Sequence, residues 1–363
     1  MVYIIICKDG IGGAEKRFVG LWLHLQRTGH RHVVLLISRE LRQKLGTLRE
    51  FAELASFDDS IRTFDSRGGL RSLRALLLHL WLADRRSVFH FIHVPPPLVQ
   101  RFPSRRTVYS MTAATWKFHN MAGLLTTYAG MVGVQLIDVL NESVWTQLRR
   151  TLFWRRQSIL LTPNSFVDST FYQPAPYAAK RNRLTFLGTF TRDKGIFRLV
   201  ELLPEIDDRL RNAGYEVEYR LLGRDVEHPG IQDACSKLRP RIDVEAYEEA
   251  NPVDVLASSK VFLSLQQTTN YPSKSLLEAL SCGALPIVTD VPESRRIAPD
   301  TVASYVPREF TAADIAEESV RIFGLAEAEF ALRVRAARDH LRANFSLETM
   351  AAHYLDLYRR AGA

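Results

Sequence analysis

Short apolar runs alternate along this chain with longer segments of helical period. Val2–Ile6 reads as a buried strand, Asp9–Gly13 as a loop, and Ala14–Thr28 as a helix with Phe18, Leu21, Trp22 and Leu25 on one face. Gly29 stands where a helix C′ residue belongs. Further strands are predicted at His32–Ile37, Ile61–Phe64, Val88–Ile92, Thr107–Ser110, Gln135–Leu140 and Ser158–Leu161. The pattern then restarts. Arg183–Leu187 is a strand, Gly188–Gly195 a loop, Ile196–Ala213 a helix and Glu216–Leu222 a strand that ends at Gly223. Val261–Leu265, a short helix from Pro272 to Gly283, Ala284–Val288 and Val302–Tyr305 continue it. The tail from Thr311 is mostly helical, and its last helix opens on Ser346 as N-cap with Glu348 in the first turn. Two such successions predict two doubly wound α/β domains with a cleft between them. The stretch Pro163–Asn182, with Pro174, Pro176 and the basic pair Lys180-Arg181, reads as the linker.

Composition narrows the class without choosing the function. A chain of 363 residues has room for two cores, and 46% hydrophobic with 24% charged residues is ordinary for a globular protein. The three cysteines, Cys7, Cys235 and Cys282, form no C-x-x-C, so neither a disulfide framework nor a zinc knuckle is expected, and a reducing cytoplasm fits. The N-terminus lacks the basic region of a signal peptide. The densest apolar stretch, Leu73–Leu82, contains Arg74 and His79 and is too short to span a bilayer. A net charge of +8 favours an anionic partner: a nucleotide, a nucleic acid or a membrane surface. Dispersed arginines without a basic tail weigh against nucleic acid.

Three loops that end strands and open helices carry candidate chemistry. In Gly10-Ile-Gly12-Gly13-Ala-Glu15, adjacent glycines allow backbone to approach a phosphate or sugar, although a dinucleotide fingerprint would place glycine where Glu15 stands. A tight turn needing positive φ explains the same glycines. In Gly188-Thr-Phe-Thr-Arg192-Asp-Lys194-Gly195, Arg192 and Lys194 are suited to a diphosphate, or to a solvated charged loop. The third is the helix after Pro272. Lys274 lies in its first turn, where the macrodipole disfavours a cation, and Glu278 lies one turn on. An anion at the helix N-terminus would account for the lysine, and Glu278 would then face groups such as ribose hydroxyls. A ligand-free surface Lys–Glu pair fits equally well. Asn270 precedes Glu278 by eight positions. A last cluster, Trp145–Arg156, reads as one helix with two tryptophans and four arginines. It is either a membrane-interface element or a crossover helix.

Taken in order, these motifs resemble the family 4 glycosyltransferases, retaining enzymes of the GT-B fold, over nearly the whole chain. Gly12-Gly13-Ala-Glu15 with Gly29-His30 looks like the family's opening, Thr162-Pro-Asn-Ser165 like the start of its second domain, and Gly188–Gly195 like its phosphate loop. Pro272–Pro286 looks like its donor helix, and Phe345–Tyr358 like the closing helix that returns to the N-terminal domain. The resemblance implies two Rossmann-like domains facing a central cleft. Residues 1–165 with helix 346–363 would form the acceptor-side domain, and residues 166–345 the nucleotide-sugar-binding domain. It implies that Glu278 binds the donor ribose and that Lys194, with Arg192, stabilises the departing diphosphate. Gly12, Gly13, Gly188, Asn270, Ser273, Lys274 and Ser275 would complete the donor site. The implied donor is a nucleotide-diphosphate sugar and the acceptor a sugar or lipid-linked sugar. The enzyme would be metal-independent, without cofactor or nucleic acid, cytoplasmic or peripheral on the inner face of an anionic membrane.

The departures fall on the sugar side. Asn270 replaces the first Glu of the family's E-x7-E motif, and Thr189 replaces the Arg of its phosphate loop. Met111 stands where many relatives carry a His after the Thr107–Ser110 strand. His93, at the end of Val88–Ile92, is the candidate substitute, and strand alternation puts His90 on the other face. A sugar-nucleotide epimerase and a non-catalytic nucleotide-binding subunit are the alternative readings.

Overall fold

Burial on both faces dictates the strands of this protein. In the computed structural model of the chain, the described residues are 1–65, 80, 83–93, 106–112, 129–131, 133–163, 165–223, 229–248, 251–269 and 271–362. Most of Leu73–Leu82, together with Asn164 and Asn270, lies outside them. Two compact units emerge: Met1–Phe166 with Ser346–Ala363, and Val167–Phe345.

The first unit is built on a seven-stranded sheet of order β3-β2-β1-β4-β5-β6-β7. Its strands are β1 Val2–Ile6, β2 Val33–Ser38, β3 Ile61–Phe64, β4 Val88–Phe91, β5 Arg106–Met111, β6 Leu136–Val139 and β7 Ile159–Leu161, and every pair is parallel. Helices among the described residues are α1 Gly13–Arg27, α2 Arg39–Gly46, α3 Glu142–Thr151 and, from the chain's end, α11 Leu347–Ala361. Val2, Ile4, Ile5 and Ile6 are all buried, as a parallel sheet covered on both faces requires. Helix α1 ends in a Schellman motif, with His30 N–H bonded to Leu25 O and Gly29 N–H to Gln26 O.

The second unit repeats the plan with a six-stranded parallel sheet of order β10-β9-β8-β11-β12-β13. The strands are β8 Arg181–Leu187, β9 Glu218–Leu222, β10 Val244–Tyr247, β11 Ser259–Ser264, β12 Leu285–Thr289 and β13 Ser304–Val306. The helices are α4 Ile196–Asn212, α5 Pro229–Leu238, α6 Val253–Ser258, α7 Lys274–Ser281, α8 Ser294–Ile297, α9 Ala312–Phe323 and α10 Glu327–Asn344. Each unit is a doubly wound domain, as the alternation of patterns predicts.

Two expectations need correction, and one strand goes unread in the sequence. Strand β10 escapes the hydrophobic pattern because it is a four-residue edge strand whose Glu245 faces solvent. Trp145–Arg156 is not one helix. Helix α3 stops at Thr151, and Phe153–Ser158 continues as tight 3₁₀ turns kinked at Arg155. Most of Pro163–Asn182 is not a free linker, since Val167 and Tyr172 are buried in the core of the second unit and Lys180 is buried as well. Prolines mark turns there, but the aromatic residues between them still bury.

Helix α11 is held on the first unit by packing and by a buried polar network. Met350, Tyr354, Leu357 and Tyr358 share a core with Phe18 and Trp22 of α1. The network centres on Asp138 in β6, which is fully buried. Its carboxylate accepts from Ser110 Oγ at 2.8 Å, Tyr354 Oη at 2.6 Å, Thr162 Oγ1 at 2.6 Å and His353 Nε2 at 3.0 Å. Burial alone would raise this carboxyl, but the hydrogen bonds from His353, Thr162 and Tyr354 hold it well below the ordinary carboxylate range. Ser110 gives its proton to Asp138, so it accepts from His90 Nε2–H at 2.8 Å, and His90 Nδ1 accepts from Tyr358 Oη at 2.8 Å. Every polar group in this chain of bonds is satisfied, which a buried network needs to be stabilising. The same chain shows His90 to be structural.

Burial pushes the His90 imidazole down to about 3. A depressed histidine contributes stability above the unfolded value of about 6.5 and loses it as pH falls through the folded value. The first unit should therefore weaken between those two limits by about 1.4 kcal/mol per pH unit from this group alone. Urea denaturation at stepped pH should show that slope, and His90→Gln should reduce it.

Candidate active site

In a parallel sheet, the strand order reverses at one place and the loops leaving the strands separate there. In the second unit that place lies between β8 and β11. The loop after β8 turns through a 3₁₀ segment, Arg192–Lys194, and delivers Gly195 as the N-cap of α4 at φ 73°. A Cβ on Gly195 would lie 2.2 Å from Leu265 O, so the loop after β11 presses on this glycine. Gln267 N–H bonds Asp193 O at 2.8 Å and ties the same two loops together. Gly223, at the end of β9, closes on the carbonyl of Gly188, where a Cβ would come within 2.1 Å. Gly188 itself has room for a side chain, with only the Phe186 ring in ordinary contact. The crowding that demands glycine falls on Gly195 and Gly223.

Lys194 is half-buried and makes no side-chain hydrogen bond or ion pair among the described residues. Burial, partly offset by Asp193, pushes its ammonium down to about 8. A lysine so placed keeps most of its charge at neutral pH and gains from any anion that approaches. Arg192 is exposed and lies near the Phe197 ring at 5.9 Å, so its guanidinium is held beside the loop.

Helix α7 supplies the second element. Its N-cap, Ser273, makes no side-chain capping bond, and its hydroxyl lies 3.3 Å from Ser275 Oγ instead. Ser273 therefore does not give the first turn the acceptor that Ser346 provides for α11. Glu278 is 3% exposed, and its Oε1 accepts from Tyr172 Oη at 3.0 Å. Lys274 Nζ lies 3.9 Å from the same oxygen and 5.8 Å from the centre of the Tyr172 ring. The lysine and glutamate thus form no solvated surface pair: they are packed under an aromatic residue. At the other end of α7, Lys180 Nζ donates to the carbonyls of Cys282, Gly283 and Ser259. Burial pushes its ammonium down to about 7. Lys180 belongs to the cap of this helix and not to a basic linker.

The reversal in the first unit lies between β1 and β4. Gly12 caps α1 with extended backbone, φ −126°, and neither Gly10, Gly12 nor Gly13 has positive φ. The positive-φ explanation for these glycines is thereby overturned. Glu15, in the first turn of α1, is buried with Oε1 3.2 Å from His93 Nε2. Burial raises the Glu15 carboxyl, but the His93 contact, its own backbone N–H and the nearby charge of Lys8 outweigh that and leave it below its usual value. Met111, by contrast, packs among Phe89, Phe91 and Tyr109 in the apolar core and offers no polar chemistry.

The structure thus sets Gly188, Arg192 and Lys194 after β8 and Ser273, Lys274, Ser275 and Glu278 after the neighbouring β11 in the second unit, and Gly12 and Gly13 after β1 and His93 after the neighbouring β4 in the first. The role of Tyr172 escapes sequence reasoning because it stands 106 residues from the carboxylate it touches. Glu15 as the partner of His93 is signalled in the sequence only as a residue standing where a glycine is expected. Among the described residues, no group of three or more His, Cys, Asp or Glu side chains could hold a metal ion.

Residues 181–324 match the family model described as Glycosyl transferases group 1. No curated protein sequence is detectably similar to the chain. Among solved structures, Anabaena Alr3699/HepE in complex with UDP-glucose is similar with a TM-score of 0.76 at 11% identity, covering 99% of each chain. A glycosyltransferase from Rickettsia africae aligns with a TM-score of 0.70 at 14% identity over 99% of this chain and 98% of that one. Sucrose-phosphate synthase from Thermosynechococcus elongatus aligns at 0.67 and 15% identity over 99% and 98%. The fold is therefore GT-B, with two parallel-sheet α/β domains.

The contact at Gly195 yields a quantitative expectation. Gly195→Ala meets both a positive φ and a backbone carbonyl, so it should cost at least ~2 kcal/mol of stability. Gly214→Ala, at φ 86° with no atom within 4 Å of where the Cβ would stand, should cost about 1 kcal/mol. Paired urea denaturation curves measure the difference.

Proposed function

We propose that this chain is a glycosyltransferase, a divergent member of family 4. It would move a hexose from a nucleotide-diphosphate sugar to an acceptor hydroxyl with retention of anomeric configuration. The observation that carries the reading is the N-terminus of α7: an N-cap serine, Ser273, that makes no capping bond, Lys274 in the first turn and a buried Glu278 held by Tyr172. A helix start with a cation in its first turn is an arrangement that an anion stabilises. The match to the glycosyl transferase family model spans this helix and the Lys194 loop. The structures of Alr3699/HepE with UDP and with UDP-glucose make a uridine diphosphate sugar the first donor to test.

On this reading the diphosphate meets the N–H groups of α7 with Lys274, and Lys194 from the loop that Gln267 ties alongside. These fixed positive groups stabilise the negative charge that develops as the glycosidic C–O bond breaks. The leaving group then needs no metal ion, because protein cations and helix N–H groups provide the charge. Glu278 holds the ribose. Turnover of UDP-glucose should persist in EDTA, and Lys194→Ala should lower the rate by about 100–1000-fold while the protein remains folded. Activity restored only by magnesium or manganese would overturn the metal-independent mechanism. UDP binding without turnover on any acceptor would favour the non-catalytic subunit, and an epimerised donor would favour the epimerase.

The reading extends to a lipid-linked acceptor in surface polysaccharide or glycolipid assembly, reached by docking on the inner face of an anionic membrane. No helix among the described residues is long and apolar enough to cross a bilayer. Phe153 and Trp154 are 64% and 59% exposed and contact each other edge-to-face, with Arg150 and Arg156 exposed beside them. Arg155 has another task, donating to the carbonyls of Met131, Val134 and Gln135, and Trp145 bonds Ile159 O. Aromatic residues bordered by arginines suit a headgroup interface. The protein should co-sediment with phosphatidylglycerol liposomes but not with phosphatidylcholine ones. Phe153→Ser with Trp154→Ser, or Arg150→Gln with Arg156→Gln, should each weaken the binding. Equal sedimentation of all three proteins would remove the surface from consideration.

A further inference from the structure

Glu278 is a long side chain, and a ligand-binding carboxylate is effective only if it is held in place before the ligand arrives. Tyr172 is built to do this. It is fully buried, it reaches Glu278 Oε1 from outside α7, and its hydroxyl is 3.0 Å away. Its backbone is anchored at two points. Ser281 Oγ, from the last turn of α7, donates to Tyr172 O at 2.8 Å. Tyr172 N–H donates to Asp168 O at 2.9 Å, closing a turn in which Asp168 Oδ1 also accepts from Thr170 N–H and Phe171 N–H. The tyrosine is thus fastened to the helix whose carboxylate it orients. Lys274 approaches the same Oε1 at 3.9 Å and lies over the tyrosine ring. Both contacts fall on one oxygen, so rotation of the carboxylate about its last bond would break them together.

We infer that Tyr172 is a positioning residue for donor binding: its hydroxyl holds Glu278 so that the carboxylate meets the ribose hydroxyls of the nucleotide in one orientation. The inference rests on the proposed role of Glu278 and adds a residue to that site. A phenylalanine would fill the same space and would keep the packing of the turn. It would lose only the hydroxyl, and with it the hydrogen bond to the charged acceptor. The loss should therefore appear in ribose recognition more than in stability.

The test compares the full-length protein with Tyr172→Phe and Glu278→Gln by calorimetry, using UDP, 2′-deoxy-UDP and 3′-deoxy-UDP. The wild type should bind UDP more tightly than at least one deoxy form. Tyr172→Phe should bind UDP about 3–10-fold more weakly, with the gap between UDP and that deoxy form narrowed. Because the gap is a ratio within one protein, it is insensitive to the folded fraction of the variant. If Tyr172→Phe loses UDP and both deoxy forms in equal proportion, the tyrosine acts through packing alone and the inference fails. If Tyr172→Phe matches the wild type while Glu278→Gln loses the gap, the inference fails and the role of Glu278 stands. If Glu278→Gln also keeps the gap, the ribose assignment fails, and the inference with it.

Discussion

A parallel strand cannot be followed directly by its neighbour, because the chain must first return to the end from which it started. Both sheets of this protein are wholly parallel, and the consequence runs through every feature described. Return paths that cover both faces leave strands such as β1 apolar on both sides. Helix N-termini collect at the same end as the loops that leave the strands. The strand order reverses where β1 lies beside β4 and β8 beside β11, and at such a reversal in a doubly wound sheet the loops of the two adjacent strands diverge. Gly12, Glu15, Lys194 and Gly195 follow the strands that meet at those two places, β1 and β8.

The two most notable buried carboxylates show how surroundings divide structure from chemistry. Asp138 is surrounded by four donors and joins β5, β6, the segment after β7 and α11. It lies among packed elements and serves to hold a helix on a sheet. Glu278 lies one turn after the start of α7, where Ser273 makes no capping bond, with a tyrosine and a lysine at one oxygen. A lysine stands at each end of α7, Lys274 on the helix itself and Lys180 from the segment before β8, and only one agrees with its dipole. Lys180 donates to the terminal carbonyls, where positive charge is favourable, whereas Lys274 lies at the end where the helix is itself positive. On the proposed reading the unfavourable lysine serves the ligand, since a cation there lowers the free energy of an anion-bound state at some cost to the empty one.

Hydrophobic period is enough to read most of the elements, because burial on both faces leaves a continuous apolar run and burial on one face leaves a 3.6-residue stripe. Where burial is partial, the reading fails. Strand β10 alternates charged and apolar residues over four positions at a sheet edge, and the Trp145–Arg156 segment has a helical pattern although its chain kinks at Leu152 and Arg155. The stretch after Pro163 misleads for a different reason. Proline spacing announces turns, and turns suggest a linker, while Tyr172 in their midst is among the most buried side chains of the second unit.

The sequence by itself determined the parallel α/β class, the doubly wound pair of domains and the identity of the loops that carry unusual residues. These follow from local patterns: a run, a stripe, a glycine after a strand, a lysine in the wrong turn of a helix. Tertiary structure alone decided which of those residues have partners. Tyr172 on Glu278, His93 on Glu15 and His90 in the Asp138 network join positions far apart in the chain. Only the tertiary structure showed Met111 to be core and Gly195, not Gly188, to be the glycine without room for a side chain. The physical reason is that hydrogen bonds and steric exclusion act over a few ångströms in space, and distance along the chain carries no information about which atoms meet at that range.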